Sequence, residues 1–139
     1  MIKTFLDAGV LITAHRGEPS LREAALGLLA SPSRLFVASV FLELELLPKP
    51  TFYRRHTEVW FLREYFKRFV QEISLDLTDV VELAGREAEK SGLAALDALH
   101  LAAAHLLEVD QFVTTEHADK PIHRTALVQV VNLEVFKST

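Results

Sequence analysis

With 139 residues, half of them apolar, the chain is long enough for a domain with a buried core, which excludes an intrinsically disordered protein. It contains no cysteine, so disulfide frameworks and thiolate zinc sites are excluded as well. Its net charge of −4 excludes a uniformly basic nucleic-acid-binding protein.

Two further patterns bear on the compartment. No uninterrupted apolar stretch reaches the roughly 18 residues that predict a membrane span. No basic segment followed by an apolar run and a small-residue cleavage site precedes the first predicted strand, so a secretion signal is not expected. We therefore expect a cytoplasmic protein in which residues 1–139 form a single domain.

Short apolar runs alternate with segments of helical periodicity along the chain. In chain order, the pattern predicts a strand at 2–7, helices at 10–14 and 21–30, a strand at 34–39, helices at 40–47 and 51–70, a short strand at 73–77, helices at 78–91 and 98–107, and strands at 111–115 and 127–133. This alternation is typical of a three-layer α/β/α sandwich with a central, mostly parallel sheet.

Residues 51–70 are predicted as one long helix, which Thr51 caps after a break at Pro48-Lys49-Pro50. The helix carries more aromatic side chains than one buried face normally needs. Core packing is the more frequent explanation for such a pattern, and contact with another subunit or a partner is the alternative.

Positive charge is concentrated in the same region. Residues 49–68 hold six Lys or Arg against two Glu, a charge of +4, which leaves −8 for the remainder of the chain. A basic segment on an acidic body can hold a polyanion near an acidic, metal-dependent site. A solvated helix face explains the same pattern equally well.

Four acidic residues occur where strands end or helices begin. Asp7 ends the first strand, Glu116 follows the strand at 111–115, Glu45 lies on the helix after the second strand, and Asp97 begins a helix. Ligands of parallel α/β sheets bind beyond the carboxyl ends of the strands, so these acids can converge at one edge. Clustered carboxylates repel one another unless cations neutralise them, and oxygen ligands favour Mg²⁺ or Mn²⁺. Metal-assisted phosphodiester hydrolysis is the chemistry such a site performs.

Each acid also has a structural explanation. Asp7 and Asp97 can cap the helices that follow them, which is compatible with metal binding. Glu116 can be an ordinary loop residue. Glu43 and Glu45 differ by about 200° around a helix, so only one of them can face the site.

Three other polar residues lie near these acids in the sequence. His100 follows Asp97 by one helical turn and can approach the site, although a packed or hydrogen-bonded histidine is the more frequent case. Lys120 and Arg124 lie in the polar loop after Glu116, where they can contact a substrate phosphate or remain solvated.

Four segments, in this order, resemble the PIN domain, the small nuclease domain of VapC-type toxins. The most specific is Leu96-Asp97-Ala98-Leu99-His100-Leu101-Ala102-Ala103-Ala104, an Asp opening an alanine-rich helix. The other three are residues 5–12, with the first Asp, residues 38–49, where a serine precedes a helical Glu, and residues 112–116, the last strand with its acid. Together they span nearly the whole chain.

The resemblance implies a metal site with one or two Mg²⁺ or Mn²⁺ ions and four acidic ligands, Asp7, Glu45, Asp97 and Glu116. Glu45 is chosen over Glu43 because it stands six residues beyond Ser39 and directly before 46–49. Thr114 and Thr115 are expected to orient water or a phosphate. The chain departs from the family pattern in two ways, since Ala8-Gly9 replaces a small polar residue and the last acid is more often Asp.

The expected function is therefore a divalent-metal-dependent ribonuclease that cleaves single-stranded or looped RNA, as the toxin of a toxin–antitoxin pair. The resemblance also implies an antitoxin protein as partner and a homodimer. Two rival functions remain open at this point. One is a PIN-fold module that binds RNA or protein without cleaving it, and the other is a metal-dependent phosphohydrolase that is not a nuclease.

Overall fold

The computed structural model describes residues 1–73 and 76–138, and its centre is a five-stranded parallel sheet in the order β3-β2-β1-β4-β5. The elements are β1 (Ile2–Leu6), α1 (Ala8–Arg16), α2 (Pro19–Ala30), β2 (Arg34–Val37), α3 (Val40–Leu46), α4 (Pro48–Phe52), α5 (His56–Glu64), β3 (Val70–Glu72), α6 (Leu77–Ser91), α7 (Ala95–Leu106), β4 (Gln111–Thr114) and β5 (Gln129–Asn132). A π-helix, Tyr65–Phe69, follows α5, and 3₁₀ turns occupy Pro121–Arg124 and Leu133–Phe136. The predicted α/β/α architecture is confirmed, and all the strand pairs are parallel.

The central strand β1 is buried over its second half. Phe5 and Leu6 are completely buried, and the ring of Phe5 stacks on Phe112 of β4 at 5.0 Å between centroids. Leu6 pairs with Val113 in the register of β1 and β4. The carboxyl ends of these two strands are therefore side by side, and the residues that follow them share one edge of the sheet.

Helices α6 and α7 pack against each other through a second, smaller cluster of buried residues. It consists mainly of alanines, Ala84, Ala98, Ala102 and Ala103, together with Val80. Small side chains allow two helix backbones to approach closely, so the alanine-rich sequence of α7 serves this contact. None of the helices in the described ranges is long and apolar enough to cross a membrane.

The predicted long helix over 51–70 is wrong. Pro48 does not interrupt helical structure but is the first residue of α4. Proline is tolerated there because the N–H of the first helical residue has no partner within the helix. Thr51 lies inside α4 and donates its hydroxyl hydrogen bond to the carbonyl of Leu47 at 2.7 Å, so it is not a cap. Arg54 has a left-handed φ of 53°, which separates α4 from α5.

The third strand also differs from its prediction at 73–77. Strand β3 is Val70–Glu72, and Leu77 already belongs to α6, while residues 74 and 75 of the predicted strand lie outside the described ones. Gln71 and Glu72 are exposed on this edge strand, and Glu72 pairs with Lys3 at 3.0 Å. An edge strand open to solvent needs no apolar run. A prediction based on apolar runs therefore assigned this strand to residues that follow it in the sequence.

Candidate metal centre

Asp7 stands at the end of β1 and begins α1. Its Oδ1 accepts a hydrogen bond from the Ala8 N–H at 2.8 Å, and its Oδ2 accepts one from the Thr114 hydroxyl at 3.1 Å. The helix-cap interpretation of Asp7 is thus correct, and α1 begins two residues earlier than the predicted residue 10 because of this cap. The cap also fixes the orientation of a carboxylate that is only 8% exposed.

The electrostatic setting of Asp7 disfavours its charged form. Burial raises the pKa of this carboxyl, and the charge of Glu45 raises it further, while His100 and the Ala8 N–H act in the opposite direction. A buried carboxylate in this situation gains free energy from a cation beside it. The surroundings of Asp7 therefore favour the binding of a positive charge at this site.

Glu45 and His100 bring α3 and α7 together beside Asp7. His100 Nε2 lies 2.8 Å from Glu45 Oε1, and one potential ligand atom from each of the three residues lies within 4.8 Å of the others. This group, which we call the acidic triad although it includes the histidine, contains Glu45 and not Glu43. Ser39 begins α3 by accepting a hydrogen bond from the Leu42 N–H at 3.3 Å, which sets the helix direction.

His100 is completely buried, as the packed or hydrogen-bonded interpretation predicted. Its ring lies 5.8 Å from that of Phe5, and its Nδ1 has no hydrogen-bond partner within residues 1–73 and 76–138. A protonated Nδ1 would leave a buried N–H without an acceptor. The geometry therefore favours the tautomer whose proton is on Nε2, donating to Glu45. The sequence signal for this contact was the spacing of three residues from Asp97.

Asp97 lies in the first turn of α7, one turn before His100. The helix begins at Ala95 after Ala94, which supplies no side-chain cap, so the prediction that Asp97 opens or caps this helix is wrong. Burial raises the pKa of the half-buried Asp97, the charges of Glu116 and Glu45 raise it further, and His100 lowers it. Asp97 is therefore within electrostatic reach of both acids.

The turn after β4 is held by hydrogen bonds on both sides. The Thr114 hydroxyl donates to Asp7 and accepts from the Glu116 N–H at 3.1 Å. The Glu116 carbonyl accepts from His123 Nε2 and from Asn132 Nδ2, each at 2.8 Å. The backbone of Glu116 is thus fixed beside the triad, while its side chain is exposed.

Thr114, Thr115 and the two loop cations occupy different settings. Thr114 is fully buried beneath Asp7, whereas Thr115 is half-buried and its hydroxyl fills the place where a Cβ on Gly9 would stand. Arg124 donates to the carbonyl of Ser91 at 3.3 Å, at the end of α6. Lys120 is exposed and precedes the 3₁₀ turn. Neither cation belongs to the triad.

The donor set fits a divalent cation. Two carboxylates and an imidazole face one another within 4.8 Å, a third carboxyl is electrostatically coupled to them, and the buried acid of the group is destabilised as an anion. Carboxylate-rich sites suit Mg²⁺ and Mn²⁺, and His100 orients one of these carboxylates by its contact with Glu45.

A family model described as "PIN domain" matches residues 4–126. No curated protein matches the sequence.

Several solved structures have the same fold. VapBC2 from Rickettsia felis bound to a promoter DNA fragment matches with a TM-score of 0.72 and 18% identity, over 94% of this chain and 98% of that one. DNA-bound VapBC from Salmonella typhimurium matches with a TM-score of 0.70 and 17% identity, over 96% and 99%. FitAcB from Neisseria gonorrhoeae matches with a TM-score of 0.63 and 18% identity, over 94% and 98%.

Proposed function

The chain belongs to the PIN domain family, and from this premise we propose that it is a divalent-metal-dependent ribonuclease acting on single-stranded RNA in the cytoplasm. The observation that carries the proposal is the acidic triad at the carboxyl edge of the sheet, with Asp97 coupled to it. A buried carboxylate such as Asp7, with further carboxylates beside it, costs stability unless a cation is bound there. That cost is the expected signature of a site kept for chemistry rather than for folding.

Asp7, Glu45, Asp97 and Glu116 are the residues that would hold the ion, or two ions. When bound, a divalent ion supplies Lewis acidity and positive charge for phosphodiester hydrolysis. The backbone of Glu116 is fixed by two hydrogen bonds to its carbonyl, whereas its side chain is exposed. The side chain is longer than that of Asp, and rotation about its bonds would bring the carboxylate to the ion.

The other residues of the site position these acids. Thr114 holds Oδ2 of Asp7, and the Ala8 N–H holds Oδ1, so the carboxylate of Asp7 cannot rotate freely. His100 holds one oxygen of Glu45 at 2.8 Å. Fixing ligands before the substrate arrives removes reorganisation from the reaction. Thr115 and Lys120 are the residues on this side of the turn that we assign to substrate contact, with Arg124 behind them at the end of α6.

We also propose that the protein is the toxin of a toxin–antitoxin pair and that it forms a homodimer. Support for the pair is that solved structures of similar fold include a toxin–antitoxin complex from Klebsiella pneumoniae, with a TM-score of 0.64 and 20% identity over 90% of this chain and 94% of that one. Support for a protein contact is the exposure of Phe52, Tyr53 and Trp60, at 78%, 57% and 64%. Expression with and without the neighbouring gene tests the first, and the mass in solution tests the second.

The experiment that tests the nuclease is cleavage of labelled single-stranded RNA with Mg²⁺, with Mn²⁺ and with chelator, by wild type and by Asp97→Asn. We expect metal-dependent cleavage that the variant loses while its fold is retained. Equal cleavage by both proteins would identify a contaminant, and no cleavage by a folded wild type would favour a binding module. A parallel panel of DNA and small phosphate esters would reveal a phosphohydrolase of another kind.

A further inference from the structure

A cleft opens directly beside the acidic triad, walled by α1, α3, α4 and α5. Glu45 of the triad lines it, as does Ala8, the neighbour of Asp7. Three cations line the same cleft, namely Arg16, Lys49 and Arg55. Arg16 ends α1, Lys49 lies on α4 and Arg55 directly precedes α5, so the tertiary structure brings Arg16 to the other two.

The two arginines are held in place by a buried carboxylate. Glu58 is 6% exposed, and its oxygens lie 3.3 Å from Nε of Arg16 and 3.8 Å from Nη1 of Arg55. A guanidinium has five N–H donors, and these two ion pairs involve a single nitrogen of each arginine. The remaining donors are left for another acceptor, while both side chains stay exposed to about half of their area.

The cationic lining continues away from the triad. A second cleft of about 260 Å³ shares Arg16, Arg55 and Glu58 with the first and adds His15 and His56. The two clefts therefore adjoin at the two arginines, and the first of them reaches Glu45. Apart from Glu45, which already pairs with His100, the only carboxylate among the described lining residues of either cleft is Glu58.

We propose that Arg16, Lys49 and Arg55 form a phosphate-binding subsite for the RNA strand next to the scissile bond. The proposal rests on the nuclease function proposed above and specifies where the substrate runs. Repeated phosphates along a flexible strand match cations spaced along a path, and Arg binds phosphate through paired N–H donors. The strand leaves the metal centre towards the C-terminal end of α1 and the start of α5.

The remaining cations of the basic segment do not line the cleft beside Glu45. Arg63 and Lys67 line a third cleft together with Val59, Trp60 and Glu64, which meets the second cleft at His56 and shares no residue with the cleft beside Glu45. Arg68 forms an ion pair with Glu64. Four of the six cations in residues 49–68 therefore lie outside the cleft of Glu45, and Arg63 and Lys67 serve as matched control residues on the same segment.

Binding to an uncleaved strand tests the subsite separately from catalysis. Fluorescence anisotropy of a short unstructured labelled RNA is measured over a series of salt concentrations, with all variants built on Asp97→Asn. We expect the double variant Lys49→Ala/Arg55→Ala to bind at least ~10-fold more weakly and its salt slope to fall by about 0.7 for each lost phosphate contact. The control, Arg63→Ala/Lys67→Ala, should stay within about twofold of the parent.

A structural role of the cluster gives a different result. Lys49 has no ion-pair partner among the described residues, so the single variant Lys49→Ala should leave the melting temperature unchanged while weakening binding. In the cleavage assay with Asp97 restored, the double variant should raise KM for a long strand and leave the rate on a dinucleotide unchanged, because a dinucleotide does not reach the subsite.

Equal weakening by the two double variants, or by neither, would overturn the subsite, even if the wild type cleaves RNA. An RNA that neither binds nor is cleaved would overturn the nuclease proposal and the subsite together. If cleavage were normal and only the control pair weakened binding, the RNA strand would bind in the cleft of Trp60. This result would also overturn the subsite.

Discussion

The triad and the segment 48–72 are built in opposite ways. The triad residues lie on helices or, for Asp7, at the junction of β1 and α1; two of the three are buried, and all are held by hydrogen bonds of 2.8 to 3.1 Å. The segment 48–72 is broken into two short α-helices, a π-helix and an edge strand, and exposes aromatic and basic side chains. The comparison teaches that the fold orients the candidate metal ligands by hydrogen bonds and leaves exposed aromatic and basic side chains on the neighbouring segment, where contacts with other molecules are made.

The largest expected effect separates two glutamates of one helix. Glu45→Gln should lower RNA cleavage at least ~100-fold, because it removes a charged oxygen from the triad. Glu43→Gln on the same helix should change cleavage less than about threefold, since Glu43 lies outside the triad. Initial rates with saturating Mg²⁺ measure both. Equal losses in the two variants would mean that the triad does not define the site.

A positioning role for His100 predicts a smaller loss. His100→Gln should reduce the rate constant of cleavage by roughly 10- to 100-fold, as for other groups that orient ligands, while KM for RNA stays constant. His100→Ala creates a cavity beside Phe5 and serves as the stability control. Titration with Mn²⁺ should show weaker metal binding by His100→Gln. If metal binding and cleavage were both unchanged, the contact between His100 and Glu45 would have no role in positioning the ligands.

The surroundings of the triad can also be changed without replacing any of the proposed metal ligands. Gly9→Ala places a Cβ where the Thr115 hydroxyl stands, so we expect a loss of about 1–3 kcal/mol in the free energy of unfolding. Gly27→Ala is the control, since nothing lies within 4 Å of the added methyl group and the change should stabilise α2 by about 0.5–1 kcal/mol. Urea unfolding measures both. The double variant Gly9→Ala/Thr115→Ala should recover part of the loss if the clash is its cause.

The smallest expected effect is on the pH dependence of stability without metal. The pKa values of Asp7 and Asp97 are raised in the folded protein, so over the range just above 3.8 the folded state binds more protons than the unfolded one. The stability of metal-free protein should therefore fall as the pH rises through this range towards neutrality. Melting temperatures in chelator from pH 4 to 7 measure it, and Asp97→Asn should flatten the curve. A curve that rises throughout would show that these carboxyls are stabilised as anions.

Much of the sheet and part of the site could be predicted because they depend on local sequence patterns. Short apolar runs predicted both ends of β1, β2, β4 and β5 to within two residues. The acids at their ends followed from the rule that parallel strands end at a common edge. The segment 51–70 was mispredicted because its helical periodicity continues through Arg54, whose left-handed backbone interrupts the helix without a glycine.

The sequence by itself determined the fold class, the family and the positions of the candidate acids, because these depend on residue periodicity and on motifs of neighbouring residues. The tertiary structure decided which groups meet. It brought Glu45 and His100 together beside Asp7, and placed Arg16 beside Lys49 and Arg55. These contacts join residues far apart in the chain, and their distances depend on how helices pack on the sheet, which spacing along the sequence does not encode.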